Sequence, residues 1–171
     1  MTRHALVVMG AAGAGKSHIG VLLAEALGVP FVEGDAFHPP NNIARMAAGI
    51  PLTDDDRHGW LLALARELRV AREASQGVVI ACSALKRRYR NLLRTGDDGV
   101  GFVFLSTTAD ELRARLATRA GHFMPPSLIA SQLDALEPPQ GDERAWTVDA
   151  RMPPNEIVAY MQRRLQETPE A

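Results

Sequence analysis

Residues 10–17 read Gly10-Ala11-Ala12-Gly13-Ala14-Gly15-Lys16-Ser17. This run fits G-x-x-x-x-G-K-[ST], the phosphate-binding P-loop, and it constrains the fold around it more than any other stretch of the chain. A loop that wraps a polyphosphate needs glycines for positive φ angles and close backbone approach. It turns several N–H groups inward as an anion nest. A strand must deliver it, and a helix must leave it with its N-terminus facing the anion. Both flanks are present. Ala5-Leu6-Val7-Val8, within the run His4 to Met9, reads as a buried strand. Ile19, Leu22, Leu23, Ala26 and Leu27 recur at helical spacing, with Gly28 as C-cap and Pro30 as stop. The loop from Gly10 through Ser17 is therefore the candidate ATP-binding element. Lys16 is expected to reach the β/γ-phosphates, and the Ser17 hydroxyl to ligate Mg²⁺.

The rest of the chain alternates apolar strands with amphipathic helices. Strands are expected at Pro30–Glu33, Gly77–Cys82, Phe102–Leu105 and, more weakly, Trp146–Asp149. Helices are expected near 16–27, 55–75, 85–94, 109–119, 126–136 and 154–167. This rhythm predicts an α/β fold with a mostly parallel five-stranded sheet and helices on both faces. Without repeats or a linker, 171 residues read as a single domain, 1–171. Two segments break the alternation: an excursion over 34–60, with a short helix Asn41 to Ala48, and a polar, hinge-like stretch over 119–127.

Charge narrows the partners. The formal net charge is −1, so nothing draws the whole molecule to nucleic acid or to an anionic membrane. A P-loop in such a chain points to a free nucleotide. The lone Cys82 excludes an intrachain disulfide and reads as a buried structural thiol. No apolar stretch reaches the length of a membrane span, and no signal-peptide cleavage pattern is seen, so the expected location is cytoplasmic.

In open α/β sheets ligands bind beyond the carboxyl ends of the strands, where Glu33, Asp35, Ser83 and the P-loop all fall. Phosphoryl transfer to a hydroxyl needs a carboxylate that orients the hydroxyl and accepts its proton, together with cations around the transferred group. Asp35 is the candidate for that carboxylate, with His38 beside it and Glu33 nearer the metal. Its plain alternative is a solvated Asx-type turn. Thr53-Asp54-Asp55-Asp56 reads as a helix N-cap followed by acids that complement the dipole, rather than a metal cluster. Arg57 offers a guanidinium fork suited to a substrate carboxylate, its alternative being a pair with a neighbouring acid. Ser83 can cap the next helix, and Lys86, one turn in, can reach substrate or phosphate. The run Lys86-Arg87-Arg88-Tyr89-Arg90 reads as a charged helix face rather than an RNA site. Arg115 and Arg119 share a helix face leading into the 119–127 segment. A lid there would bring a cation to the γ-phosphate; Arg119 is the first choice, Arg115 and His122 the weaker ones. Trp60 and Trp146 read as core or pocket-wall aromatics.

Several stretches resemble the gluconokinases. They are Glu33-Gly34-Asp35-Ala36-Phe37-His38-Pro39, Asn42-Ile43-Ala44-Arg45-Met46, Gly49 through Arg57 and Trp60-Leu61. Cys82-Ser83-Ala84-Leu85-Lys86, Arg119 through Met124, Ser131-Gln132 and Leu136-Glu137-Pro138 extend the likeness. It implies a three-layer P-loop kinase fold of the shikimate-kinase type with a small lid at 119–127. It implies transfer of phosphate from Mg²⁺·ATP to D-gluconate, giving 6-phosphogluconate, in a homodimer. The acceptor site would draw on Asp35, His38, Arg45, Arg57, Ser83 and Lys86, and the metal site on Ser17 and Glu33. Glu33 stands where relatives often carry Asp. Other readings of the same residues are a kinase for another small hydroxy acid, such as a shikimate-like one, and a P-loop ATPase switch.

Overall fold

The computed structural model describes residues 2–117 and 126–167. Its strands are β1 (Ala5–Met9), β2 (Phe31–Glu33), β3 (Val78–Ala81), β4 (Gly101–Ser106) and β5 (Ala145–Asp149). They form one five-stranded sheet in the order β2-β3-β1-β4-β5, every pairing parallel. The helices are α1 (Lys16–Leu27), α2 (Pro40–Ala47), α3 (Asp54–Glu73), α4 (Arg87–Arg94), α5 (Ala109–Ala117), α6 (Pro126–Ala135) and α7 (Pro154–Glu167), with a 3-10 turn at Gly34–Phe37. Among the described residues no helix is long and apolar enough to cross a membrane.

The central strands are apolar throughout because both faces are covered. Period-two alternation sends Leu6, Val8, Val79, Val103 and Leu105 into one core with α1 and α7. It sends Ala5, Val7, Met9, Ile80, Phe102 and Phe104 into a second core with α3 and α4. Cys82 belongs to that second core, where burial pushes its thiol up to about 12, so it is an inert packing group. Helix α1 starts at Lys16 and ends on Gly28, whose left-handed backbone (φ 67°) lets its N–H reach Ala24 O and Glu25 O.

Helix α3 begins with a reciprocal capping box. The Thr53 hydroxyl accepts from Asp56 N–H at 3.1 Å, and the Asp56 carboxylate accepts from Thr53 N–H at 2.9 Å. Hydrogen bonding from Thr53, its backbone N–H first and then its hydroxyl, holds the Asp56 carboxyl below the usual carboxylate range. Thr53→Ala is expected to cost about 1 kcal/mol. A shift in denaturant midpoint at unchanged slope measures it.

Two local expectations about the stretch after β3 are corrected. Ser83 does not cap α4: that helix starts at Arg87, with Lys86 as an N-cap that makes no side-chain capping bond. The intervening Ala84 takes φ 46°, turning the chain before the helix can begin. The basic run is not simply a solvated face either. Arg90 is 0% exposed and bound to Glu143 through Nε (2.8 Å) and Nη2 (3.1 Å). Its Nη1 donates to Ala84 O at 2.9 Å. The buried guanidinium therefore holds the unusual turn that follows β3.

Candidate active site

The P-loop leaves β1 and enters α1 with Gly13 at φ 87° and Gly15 at φ 100°, angles a side chain would strain. The loop is pinned from three sides. Gly10 N–H donates to Ser83 O at 3.2 Å. Arg115 Nη1 donates to Ala14 O at 2.8 Å, and its Nη2 donates to Ala150 O. The Ala12 N–H donates to Gln132 Oε1 at 2.6 Å. Lys16 Nζ donates to Ala11 O at 3.0 Å, so its ammonium curls back over the loop. Arg115 thus lies against the P-loop backbone, tying it to the end of β5.

A cavity opens where the carboxyl ends of β1, β2 and β3 meet. Lys16, Asp35, His38, Arg57 and Ser83 line it, joining residues from four separate stretches of sequence. Met46, Ile50 and Leu52 form an apolar wall from the excursion after β2, and Leu128, Ser131 and Gln132 of α6 close another side.

Each polar group reaches the cavity for a local reason. Asp35 sits in the 3-10 turn after β2, its side chain 75% exposed, so it is open to a substrate. His38 is buried, its ring stacked on Trp60 at 4.0 Å between centroids. Trp60 is itself anchored by Nε1 donating to Gly34 O at 2.8 Å. Asn42 is the one buried residue of α2. Its Nδ2 donates to Asp56 O at 2.8 Å and meets His38 Nδ1 at 3.2 Å. That contact makes Nδ1 an acceptor, leaving the proton on Nε2, 3.8 Å from the Asp35 carboxylate. Burial pushes the His38 pKa down; Asp35 opposes this and Arg57 adds to it. The ring is therefore neutral at pH 7.

Among the described residues Arg57 makes no ion pair with a neighbouring acid. Its guanidinium lies 5.4 Å over the Tyr89 ring, and its Nε is buried with no hydrogen-bond partner among those residues. A buried, unpaired guanidinium N–H is costly, and at the wall of a cavity it suits an anionic ligand. The Tyr89 hydroxyl donates to Asp54, which also takes Lys86 at 3.1 Å and Arg88 at 2.5 Å. Those bonds, Tyr89 first, hold Asp54 at about 2. Asp54 and Asp56 are thus committed to protein partners, Asp56 within the capping box.

Two of the expected acceptor residues stand off the cavity. Lys86 is paired with Asp54, its Nζ 5.7 Å from the centroid of the Tyr89 ring. Arg45 projects from α2 with its Nε 3.9 Å from Asp56. Ser17 and Glu33 come together instead at the mouth of the P-loop, the serine hydroxyl donating to the glutamate carboxylate. This all-oxygen pair is the donor set a hard divalent cation accepts, with water completing its shell. Arg119, His122 and most of the 119–127 segment lie outside the described residues. Asn42, Tyr89 and Gln132 were given no role by sequence; their partners are 14, 35 and 120 residues away, beyond any local pattern.

The shikimate kinase family model matches residues 12–135. A gluconokinase of Gluconobacter oxydans is 46% identical over 94% of this chain and 90% of its own length. The thermosensitive gluconokinase of Escherichia coli is 42% identical over 84% of this chain and 77% of its own. A gluconokinase structure from Sinorhizobium meliloti superposes with a TM-score of 0.86 at 47% identity, covering 96% of this chain and 94% of that one. A sugar kinase structure from Janibacter reaches 0.91 at 44% identity, covering 97% and 95%. With its parallel sheet, its P-loop and this match over most of its length, the chain belongs to the gluconokinase family of shikimate-kinase-like P-loop kinases.

Proposed function

We propose that the protein transfers the γ-phosphoryl group of ATP to the terminal hydroxyl of D-gluconate, giving 6-phosphogluconate and ADP. The observation that carries this reading is one cavity holding the P-loop lysine, an open carboxylate at Asp35 and a buried guanidinium N–H at Arg57 that has no partner among the described residues. Those are the groups a phosphoryl donor, an attacking hydroxyl and a substrate carboxylate require. The gluconokinase relatives support gluconate as the acid.

In this mechanism the P-loop amides and Lys16 bind the β/γ-phosphates and neutralise their charge. Asp35 accepts a hydrogen bond from the acceptor hydroxyl, aims its oxygen at the γ-phosphorus and takes the proton as the new O–P bond forms. The bond from the γ-phosphorus to the β–γ bridging oxygen breaks, and ADP leaves. Arg57 grips the carboxylate at the other end of the acceptor, and Ser83 and neutral His38 add polar contacts. Arg115 steadies the loop that holds the nucleotide, and Arg119 is the cation assigned to the transferring group. Ser17 and Glu33 would hold the Mg²⁺ of Mg²⁺·ATP, which supplies charge neutralisation.

A coupled ADP-release assay over gluconate, other aldonates, shikimate and no acceptor tests the reading. Gluconate is expected to raise ADP release far above the acceptor-free rate and above the other acids. Equal rates with and without acceptor would leave an ATPase; a higher rate with shikimate would reassign the acceptor.

A further inference from the structure

We propose that Gln132 is an acceptor-positioning residue, its carboxamide locked to the P-loop through Oε1 and offering Nε2–H to an oxygen of the bound polyol. The inference rests on the cavity being the acceptor site. Gln132 lies on α6, and its only route to the nucleotide loop is through space. The Ala12 N–H donates to Oε1 at 2.6 Å, and both residues line the cavity that holds Asp35 and Arg57.

A backbone N–H can be met only by the oxygen of a carboxamide, which fixes the amide's orientation. With Oε1 committed to Ala12, the NH₂ end is what the side chain has to offer the cavity. Of the other polar groups assigned to the acceptor, Asp35 accepts and Arg57 is a cation suited to the carboxylate; Ser83 and His38 are neutral donors from the β3 and β2 sides of the cavity, and Gln132 adds one from α6. A polyol chain also presents oxygens that need neutral donors. A donor mounted on the P-loop fixes the acceptor against the same element that holds the phosphates. The acceptor's oxygen and the γ-phosphorus are then placed relative to one another by one rigid part, which is what in-line transfer demands. An acceptor oxygen left unpaired in this cavity would lose binding.

The test uses Gln132→Glu and Gln132→Leu in the whole protein. Gln132→Glu keeps the oxygen for Ala12 N–H and the shape, but replaces the donor end by a carboxylate oxygen. A glutamate titrates near ~4.3, and protonation returns an O–H donor at that end. At pH of about 7.5, kcat/KM for gluconate is expected to fall roughly tenfold or more, with KM for ATP within about twofold of wild type. Relative to wild type, that deficit should shrink steadily as pH is lowered toward roughly 5.5, in step with the rising protonated fraction and by at most about tenfold per pH unit. Gln132→Leu should lose gluconate kcat/KM to the same pH-independent extent throughout. Two results would overturn the proposal: Gln132→Leu at wild-type kcat/KM, or Gln132→Glu with a deficit that does not change with pH. Wild type that fails to turn over gluconate sinks the gluconate reading and this assignment with it. Wild type active on gluconate with a pH-flat Gln132→Glu deficit sinks this assignment alone.

Discussion

Asp35→Asn is expected to lower kcat by about 10²–10⁴-fold while ATP still binds. The amide keeps the size of the side chain and can still meet the acceptor hydroxyl. It cannot take the proton as the O–P bond forms, and it lacks the charge that orients the hydroxyl. Asp35 is largely exposed in its turn, and among the described residues its nearest ionic partner is His38 at 3.8 Å, so the fold should not suffer. Arg57→Ala is expected to behave differently. It removes a contact made equally in ground and transition states, so it should chiefly raise KM for gluconate and spare kcat. An uncharged polyol should lose less than gluconate does, since it offers no carboxylate for the guanidinium to recognise. Steady-state kinetics of both variants with both acceptors separates the roles. If Asp35→Asn altered only KM and Arg57→Ala destroyed kcat at unchanged KM, the acceptor would lie in the opposite orientation.

Sequence made the framework legible where local chemistry dictates it. The strands β1, β3 and β4 are short apolar runs with no polar face, which only a sheet covered on both sides accommodates. Gly28 ended α1, and the Thr53 cap began α3, because capping is decided within four residues. Asp35 and Arg57 stand out in sequence as chemistry, and the fold brings them to one cavity from the turn after β2 and from the first turn of α3. What stayed hidden is long-range. Lys86 has the reach for a substrate, but Asp54, 32 residues earlier, takes its ammonium. Ser83 has the chemistry of a cap, but the Ala84 turn separates it from the helix. Arg90 sits in a run of charges that reads as a solvated face, and only the fold reveals the glutamate 53 residues away that makes its burial tolerable.

That buried pair carries the largest expected stability effect. Glu143 has a side chain 1% exposed and receives Arg90 at 2.8 Å and Arg94 at 2.5 Å, with Gln140 N–H donating at 2.7 Å. Burial pushes its carboxyl up, but the bonds from Arg90, Arg94 and Gln140 outweigh this and bring it to about 2. Glu143→Ala leaves the Arg90 guanidinium buried with no counter-charge, and a loss of about 3–5 kcal/mol is expected. Denaturant unfolding should show it as a fall in midpoint at unchanged slope. The pH dependence has a definite sign. The folded pKa lies below the ordinary value of 4.5, so the stabilisation is complete above that value and is lost as pH falls toward about 2. Wild type should therefore lose stability across that window, and Glu143→Gln, with no carboxyl to protonate, should lose less. The consequence reaches the active site, because Arg90 also holds Ala84 O and Leu85 O in the turn that presents Ser83 to the cavity and Ser83 O to the P-loop. Glu143→Gln that remains folded should raise KM for gluconate as that turn loosens. Unchanged stability in Glu143→Ala would mean that the Arg90 charge finds water, and that the turn after β3 is held by its strand alone.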